Sequence, residues 1–547
     1  MTITVIEYVL GRLKAIGIDD VFGVPGDYAF PVNDAICNDP AINWIGCANE
    51  LNAAYAADGY ARIKGVAALC TTYGVGELSA INGIAGSYAE HLPIFHLVGT
   101  PSMKVQASRA AMHHTLGKGD FDVFSRMSEP VVVAHAVMTP QNVVYETERL
   151  IAEALYHRRP VYMAFPADFA EQPVLGEGVP LPAPRSDPAT LEAATKAIVE
   201  ALEGAKTAVV LPGVLVARSG VAAELQGLID ASGLPFATMF MDKSVLDEHQ
   251  DGFIGMYDGR LMSEDVRAFV EEADVVLSIG TLMSDFNSGA FTAGLDRAKT
   301  LAIGHHIVRI GNRIYPNVEL VDILPALSAA LPHRDWPKIV ATSLGDIVGG
   351  GDEPITVEGL YPRWAAFAEP GDIWIAETGT SSMGLGFARL PEGANFHNQT
   401  LWGSIGWATP AAVGAAVAAP DRRVVLLTGE GSHQLTVQEI GQFARLGLKP
   451  VVFVLNNDGY LIERLLCKDP AIAYNDIAQW RYTELPHAFG CDDWFVARVT
   501  THGELDAALE AAKTATTGVY IEVVTDAYAA SPLAMKLHES LQSLYKS

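Results

Sequence analysis

The strongest constraint on the fold is a strand, turn, helix and strand pattern near residue 430. An apolar run over residues 424–427 leads into Gly-Glu-Gly-Ser at 429–432, and an amphipathic helix pattern follows. A second apolar run, 451–455, ends at two asparagines. In a βαβ unit both strands end at the same edge of a parallel sheet, where α/β proteins bind ligands. We therefore expect Glu430 and Asn457 to lie close together.

The polar groups at these strand ends are hard oxygen donors. The carboxylate of Glu430, the amide of Asn457 and the carbonyl of Gly459 form a set that holds Mg²⁺ and leaves positions for phosphate oxygens. Gly431 allows close approach of the backbone, and the helix after Ser432 directs unsatisfied N–H groups toward an anion. The pattern predicts a magnesium and diphosphate site.

The length of the chain and the positions of its Pro-rich and Gly-rich tracts predict three α/β domains. The 547 residues suffice for about three domains at roughly 150 residues each. Alternating strand and helix patterns in each block predict doubly wound, largely parallel sheets. Tracts rich in Pro or Gly separate the blocks. The predicted domains are 1–178, 189–345 and 355–547.

Composition limits the partners and the compartment. The formal charge of −27 argues against nucleic acid or an anionic membrane as a partner. No secretory signal pattern and no uncharged apolar run of membrane length is visible. The five cysteines have no ligand-like spacing. We expect a cytoplasmic protein with reduced, mostly structural thiols.

A glutamate in the first block stands where a strand gives way to a helix. The strand-like run 43–47 precedes Glu50, and a helix pattern follows over 51–62, with Asp58 and Arg62 at pairing distance. On spacing alone, Glu50 is a residue that the positive helix N-terminus favours by about 0.3–1 kcal/mol.

The same block holds an acid and a histidine pair in glycine-containing loops. Asp27 follows Val-Pro-Gly in a tight loop, and His113 and His114 are adjacent. Taken singly, Asp27 reads as a turn residue and the histidines as surface or core residues.

Three further segments of the third block hold candidate ligand groups. After a strand-like run, Thr378, Thr380 and Ser381 could hold phosphate through hydroxyls and backbone N–H groups, although an ordinary strand-to-helix turn fits equally well. Ile405 is a bulky apolar residue between glycines. Glu463 lies on a helix pattern past the asparagines, where a neighbouring arginine could make it an ordinary surface charge.

Over essentially its whole length, the chain resembles the thiamine-diphosphate-dependent 2-keto acid decarboxylases. Their Gly-Asp-Gly and Asn-Asn signature is similar to the pattern described above, with Glu430 in place of the usual Asp. We expect an adjusted backbone or weaker metal affinity from the extra methylene, because Mg²⁺ requires near-ideal octahedral geometry. The segment around Glu50 resembles the one whose glutamate bonds the aminopyrimidine ring, and Asp27 with His113-His114 resembles the decarboxylase branch.

The resemblance implies thiamine diphosphate and Mg²⁺ as cofactors and assigns roles to residues. Implied catalytic residues are Asp27, Glu50, His113, His114 and Glu463. Implied cofactor-binding residues are Glu50, Thr378, Thr380, Ser381, Gly403, Ser404, Ile405, Gly431, Ser432, Asn457 and Ile462. Implied metal ligands are Glu430, Asn457 and Gly459. Implied substrate-pocket residues are Phe286, Ser382, Met383, Ile462 and Leu466.

The implied reaction is non-oxidative decarboxylation of a 2-keto acid to an aldehyde and CO₂. Ser382 stands where pyruvate-specific relatives carry a large aromatic residue, so we expect a pocket enlarged for aromatic or for long or branched keto acids, such as phenylpyruvate and indolepyruvate. Met383 and Leu466 could refill that space, and Phe286 also reads as a core aromatic.

Other functions stay open. They are a pyruvate decarboxylase, a thiamine-diphosphate carboligase that forms acyloins or acetolactate, and a non-catalytic binding or assembly protein on this scaffold. The resemblance further implies a homodimer as the minimal active unit, with a homotetramer as the expected assembly.

Overall fold

The computed structural model of the protein describes residues 3–176, 178–341 and 343–544. These residues form two compact units. The first unit comprises Met1–Ala183, Thr409–Pro420 and Thr436–Leu448, and the second comprises Pro184–Ala408, Asp421–Leu435 and Lys449–Ser547. The predicted limits at residues 1 and 547 lie outside the described residues, and the predicted domain boundaries stay predictions.

Within residues 3–176, the first unit contains a six-stranded sheet in which the paired strands are parallel. Its strands are β1 (Asp20–Gly23), β2 (Asn43–Gly46), β3 (Ala67–Thr72), β4 (Ile94–Thr100), β5 (Ala134–Val137) and β6 (Val161–Pro166), in the order β2-β1-β3-β4-β6-β5. The helices are α1 (Val5–Ala15), α2 (Phe30–Asn38), α3 (Glu50–Lys64), α4 (Val75–Ala89), α5 (Met103–Ser108), α6 (Val123–Ser128) and α7 (Val143–His157), with 3₁₀ turns at Asp27–Ala29 and Glu129–Val131. The central strands are buried along their whole length, which explains their continuous apolar runs.

In the second unit, residues 188–330 form a seven-stranded sheet. Its strands are β7 (Ala208–Pro212), β8 (Phe236–Thr238), β9 (Phe253–Met256), β10 (Val275–Ile279), β11 (Thr300–Ile303), β12 (Ile307–Ile310) and β13 (Arg313–Pro316), in the order β13-β12-β11-β10-β7-β8-β9. The helices are α8 (Pro188–Glu203), α9 (Val214–Arg218), α10 (Ala222–Ser232), α11 (Glu264–Glu272) and α12 (Leu320–Ala330). Strands β12 and β13 pair antiparallel and extend an otherwise parallel sheet.

The described residues from 357 onward form a six-stranded sheet of parallel pairs. Its strands are β14 (Ile373–Ala376), β15 (Asn395–His397), β16 (Val424–Gly429), β17 (Val451–Asn456), β18 (Phe495–Val499) and β19 (Val519–Val524), in the order β15-β14-β16-β17-β19-β18. The helices are α13 (Val357–Phe367), α14 (Thr380–Leu385), α15 (Ala408–Ala418), α16 (Glu430–Thr436), α17 (Ile440–Arg445), α18 (Leu461–Leu466), α19 (Leu485–Ala488), α20 (His502–Thr514) and α21 (Pro532–Leu544), with 3₁₀ turns at Val437–Glu439, Ala473–Asn475 and Tyr482–Glu484. The prediction of three α/β sheets that are largely parallel is confirmed.

Helix α15, from Thr409 onward, belongs to the first unit and packs tightly on α3. A Cβ on Gly59 would lie 2.1 Å from the carbonyl oxygen of Ala411, and one on Gly414 would lie 1.8 Å from that of Ala56. Only glycine permits the two backbones to approach this closely. The predicted Asp58–Arg62 pair of α3 is confirmed, with 2.8 Å between the side chains.

The strand ends around residue 430 lie as predicted, but the helix between them differs. Strands β16 and β17 are parallel neighbours, with Gly429 paired to Leu455. Helix α16 begins at Glu430, so Ser432 is its third residue and does not precede it as predicted. The 3₁₀ turn at Val437–Glu439 separates α16 from α17.

Across the described parts of the chain, we find no helix that combines the length and the apolar character needed to span a bilayer.

Candidate active site

Three polar groups converge where β16 and β17 end. One end of the Asn457 side-chain amide lies 3.2 Å from Glu430 Oε1 and 2.8 Å from the Gly459 carbonyl oxygen. Neighbouring ligands of an octahedral Mg²⁺, bound at roughly 2.1 Å, lie about 3 Å apart. Without a cation, the amide nitrogen at this position donates to both oxygens; with a cation, the amide oxygen joins them. The predicted ligand set therefore fits Mg²⁺.

Backbone N–H groups fix the Glu430 carboxylate in this cluster. Its Oε1 accepts hydrogen bonds from the N–H groups of Asn457 (3.0 Å) and Gly459 (2.8 Å). Burial raises the pKa of Glu430 to about 7, although these N–H groups and Arg464 lower it. The longer side chain thus reaches the turn that carries the other two oxygens. The expected loss of metal affinity stays a prediction.

Arg464 stabilises this turn through hydrogen bonds. This role was not predicted from the sequence. Its guanidinium donates to the carbonyl oxygens of Asn457 (3.0 Å), Asp458 and Ala527 (3.2 Å), and its side chain is 7% exposed. Among the described residues, its polar contacts are with these carbonyl oxygens and with Asp476 at 3.9 Å, and not with Glu463, as the surface-pair alternative would require. Position alone could not reveal this, because the carbonyl partners come from the folded turn.

A cavity of about 310 Å³ opens over the oxygen cluster. The predicted residues that line it are Thr378, Thr380, Ser381, Ile405, Glu430, Gly431, Ser432, Asn457, Gly459, Ile462 and Glu463. Gly403 and Ser404 are not among its lining residues. The Ser404 N–H instead donates to Gln399 Oε1 at 2.9 Å, and Gly403 adopts a φ of +65°.

Glu377 joins the two turns on either side of this cavity, a role that was not predicted from the sequence. Its Oε1 accepts from the Thr378 N–H at 3.2 Å, and its Oε2 accepts from Gly406 (3.1 Å) and Ala408 (3.2 Å). Burial raises the pKa of Glu377 to about 8, while the three N–H groups oppose that shift. The carboxyl therefore fixes the backbone on the far side of Ile405. The feature of the sequence that could have identified Glu377 is its position as an acid at the end of an apolar strand.

An apolar cavity of about 290 Å³ shares Ile462 with the first. Phe286, Met383 and Leu466 line it, and their role in binding substrate stays a prediction. Half-buried Phe286 stacks on Phe240 with 6.1 Å between ring centroids.

Ser382 is not among the residues that line the apolar cavity. It lines a space of only about 10 Å³ with Phe240 and Phe286, and its hydroxyl donates to the Gly379 carbonyl oxygen at 3.1 Å. A larger residue here would therefore act on the apolar cavity through the two phenylalanines. The expected influence of Ser382 on the size of the substrate pocket stays a prediction.

The first unit brings the predicted acid and histidine pair together. His113 Nε2 lies 2.6 Å from one carboxylate oxygen of Asp27, and His114 Nδ1 lies 3.9 Å from the other. The Tyr28 ring stacks on His113 with centroids 4.9 Å apart. Burial raises the pKa of Asp27, but the hydrogen bond and charge of His113 lead the opposing effects, and the net pKa is lowered.

Glu50 begins α3 at the same edge of the first sheet. The Asn49 side chain caps the helix by accepting from the Asn52 N–H at 2.8 Å. A Cβ on Gly76 would lie 3.2 Å from Glu50 Oε1 and 3.1 Å from Thr72, so this glycine leaves room for the carboxylate. A Cβ on Gly26, next to Asp27, would also strike Thr72, at 2.4 Å.

Glu439 supports the start of α3 from a distant part of the sequence. Its buried Oε2 accepts from the Asn52 side chain at 2.7 Å and from the Ala48 N–H at 3.2 Å. Burial raises the pKa of Glu439. Sequence reasoning missed this residue because nothing local links it to residue 50.

Three family descriptions match consecutive parts of the chain. They are the N-terminal TPP binding domain (residues 3–122), the central domain (195–331) and the C-terminal TPP binding domain (373–523) of thiamine pyrophosphate enzymes. Together with the parallel sheets and the oxygen cluster, they define an enzyme of the thiamine diphosphate class, with thiamine diphosphate as its cofactor.

Similar proteins of known name identify the family within this class of enzymes. Proteins named alpha-keto-acid decarboxylase from Mycobacterium ulcerans (strain Agy99) and Mycobacterium tuberculosis (strain ATCC 25618 / H37Rv) are each 43% identical to this chain over 515 residues. The match covers 93% of this chain and 91% and 92% of those relatives. A protein of the same name from Mycobacterium avium (strain 104) is 42% identical, with 93% and 91% covered. The chain belongs to the thiamine-diphosphate-dependent 2-keto acid decarboxylase family.

Proposed function

We propose that this enzyme converts a 2-keto acid to an aldehyde and CO₂, using thiamine diphosphate held through Mg²⁺. The observation that carries the proposal is the cluster of oxygens from Glu430, Asn457 and Gly459 below a cavity whose wall, Ile462, also borders an apolar cavity. Such a pair of cavities suits a cofactor anchored at one end and a substrate side chain at the other.

The residues around the first cavity would hold the cofactor. Glu430, Asn457 and Gly459 would bind Mg²⁺, and the backbone N–H groups and hydroxyls near Thr380 and Ser432 would bind the diphosphate. When bound, thiamine diphosphate supplies the nucleophilic carbon and the electron sink for loss of CO₂. Further contacts are assigned to Thr378, Ser381, Gly403, Ser404, Ile405, Gly431 and Ile462.

Titratable groups of the chain would hold and move protons. Glu50 would keep a proton on the aminopyrimidine ring nitrogen. Asp27, through its 2.6 Å contact with His113, would hold that imidazole in one orientation, and His114 and Glu463 would handle protons of the substrate and product. Apolar walls would exclude water, which favours loss of charge from the substrate carboxylate.

The apolar cavity supports a preference for aromatic or for long or branched keto acids. With Met383 and Leu466 in its wall, about 290 Å³ is still open, more than pyruvate's methyl group needs. The test compares kcat/KM for phenylpyruvate and pyruvate in the wild type, Ser382→Trp and Leu466→Trp. We expect the wild type to prefer phenylpyruvate and both variants to lower that ratio at least tenfold. A wild-type preference for pyruvate defeats this part and favours a pyruvate decarboxylase.

The reaction class is tested by assaying the purified protein with thiamine diphosphate and Mg²⁺. We expect CO₂ and aldehyde in equal amounts without any acceptor, and loss of activity on chelation of the metal. Acyloin or acetolactate as the main product favours the carboligase alternative. Failure to retain or bind thiamine diphosphate favours the non-catalytic alternative.

We also propose a homodimer as the minimal active unit, assembled into a homotetramer, in the cytoplasm and without nucleic-acid or membrane partners. The resemblance to the family supports the assembly. Five free cysteines suit a reducing compartment, and the charge of −27 opposes binding to nucleic acid or anionic lipid.

A further inference from the structure

Asp258 is a buried carboxyl that the reaction described above does not use. It follows β9 in a turn closed by a hydrogen bond from the Leu261 N–H to the Asp258 carbonyl oxygen, at 3.1 Å. The residue is 4% exposed and lines the apolar cavity of about 290 Å³. Among the residues that the structure describes, neither carboxylate oxygen has a hydrogen-bond partner.

Leaving a carboxyl buried without partners is costly, because it loses its hydration and gains nothing in return. Burial raises the pKa of Asp258 to about 7. The only other charged residue of the cavity lining is Asp285, which is exposed, and the described lining includes no Lys, Arg or His. None of the described residues in the wall of the cavity therefore compensates this carboxyl.

The cavity of Asp258 has one lining residue in common with the cofactor cavity. Ile462 borders both cavities, whereas Asp258 borders only the apolar cavity. The remaining wall is formed by aliphatic side chains and by the rings of Phe240, Phe286 and Phe291. A substrate chain that passes Ile462 would meet apolar walls and aromatic faces, with one unpaired acid whose carboxylate oxygens are buried in that wall.

We propose that Asp258 determines substrate specificity by binding a cationic group, an ammonium or a guanidinium, at the end of the 2-keto acid side chain. This inference rests on the proposed function and names its substrate class. One buried acid, with no basic residue in the described lining, favours a cation over a neutral donor. Aromatic faces add a further attraction for a cation, and a charged hydrogen bond to a carboxylate is stronger than a neutral one.

The experiment compares two acids of similar length, 5-guanidino-2-oxopentanoate and 2-oxooctanoate, by kcat/KM. We expect the wild type to prefer the guanidino acid at least tenfold. Asp258→Asn keeps the shape but removes the charge, and we expect it to abolish that preference. Asp258→Leu should reverse it by raising kcat/KM for 2-oxooctanoate. The matched control Asp285→Asn, at the exposed edge, should change the ratio less than threefold.

A neutral donor is tested in parallel with 4-hydroxyphenylpyruvate and phenylpyruvate. If the wild type prefers the hydroxylated acid, and Asp258→Asn retains that preference while the guanidino acid is not preferred, the cation assignment is overturned. Unchanged ratios in both Asp258 variants overturn the role of Asp258 altogether.

A binding measurement separates this inference from the proposed function. Calorimetry with 5-guanidinopentanoate, which has no keto group, should detect binding to the wild-type holoenzyme and at least tenfold weaker binding to Asp258→Leu. If no keto acid yields CO₂ but this difference persists, the proposed function fails and the cation site stands. Equal binding to both proteins overturns the cation site even in an active decarboxylase.

Discussion

Glu430 carries one methylene more than the aspartate usual at this position in the family, and its contacts show where that methylene leads. Its Oε1 lies against the N–H groups of Asn457 and Gly459, at 3.0 and 2.8 Å. The carboxylate is thus tied to the turn that carries the other two oxygens. The geometry of the cluster depends on that turn as much as on the length of the side chain.

The first prediction concerns Arg464, which holds the same turn through three carbonyl oxygens. Arg464→Lys keeps the charge but loses the planar fork that reaches several acceptors at once. Because groups that orient metal ligands typically contribute a factor of about 10–100 in affinity, we expect Mg²⁺ to bind about tenfold more weakly. Calorimetric titration with Mg²⁺ at saturating thiamine diphosphate measures this.

The control is Arg481→Lys, at a side chain that is 82% exposed and pairs with Glu484. It should leave Mg²⁺ affinity unchanged. Equal affinities for the wild type and Arg464→Lys would mean that the turn keeps its shape without the guanidinium.

At the scale of elements, the sequence predicted where strands end but not how distant parts hold those ends. The predicted runs 424–427 and 451–455 lie within β16 and β17, because buried parallel strands are continuously apolar. The break at Val437–Glu439 was not predictable, since the residues on both sides keep a helical apolar pattern. Local periodicity carries no information about which unit a segment joins.

The site residues likewise divide into those that could be predicted from the sequence and those that could not. Those attached to a strand end or a glycine turn were predictable because motif and position coincide, as for Glu430 and Asn457. Glu377 and Glu439 were not, because their role lies in accepting backbone or amide N–H groups that only the folded chain brings to them. A buried carboxylate that binds the backbone leaves no periodic pattern.

The second prediction concerns the first turn of α4 and its contact with β6. Glu77 is 1% exposed and accepts from the Gly74 N–H at 2.8 Å and the Tyr162 hydroxyl at 2.9 Å. Burial raises the pKa of Glu77 to about 7, above the ordinary value of 4.5. The folded chain therefore keeps a proton between pH 4.5 and 7 that the unfolded chain releases. Stability from this group is present below pH 4.5 and is lost as pH rises toward 7, by about 3 kcal/mol in total.

Glu77→Gln preserves both contacts and cannot titrate. We expect the wild-type Tm to fall relative to that of Glu77→Gln as pH is raised from 4.5 to 7, and the two to run parallel above pH 8. Thermal unfolding at half-unit pH steps measures this, with Glu510→Gln, at a side chain 73% exposed, as the control. Parallel curves from pH 4.5 to 7 would show that Glu77 is already ionised in the folded protein.

At the scale of the whole molecule, two chains are expected to build each active site. In the family that this chain resembles, the pyrimidine end of the cofactor is held by the first domain of one subunit and the diphosphate by the third domain of another. Glu50 and Glu430 would then act on the same cofactor from different chains. The consequence is that two inactive variants can complement each other.

The last prediction mixes Glu50→Gln and Glu430→Ala chains under conditions of subunit exchange. A symmetric dimer has two equivalent sites, so each mixed dimer would hold one site with both glutamates and one with neither. Random exchange at equal amounts makes about half the dimers mixed, and we expect about a quarter of wild-type activity. Decarboxylation assays before and after exchange measure it, with each variant alone as the inactive control.

A second mixture makes the test symmetrical. When wild-type chains exchange with the double variant Glu50→Gln/Glu430→Ala, every site of a mixed dimer has lost one glutamate. Activity should then fall to about half of that before exchange, because only wild-type pairs stay active. If each chain instead supplied both glutamates to its own site, the first mixture would stay inactive and the second would keep its full activity. The two mixtures therefore respond in opposite directions only when the site is shared between chains.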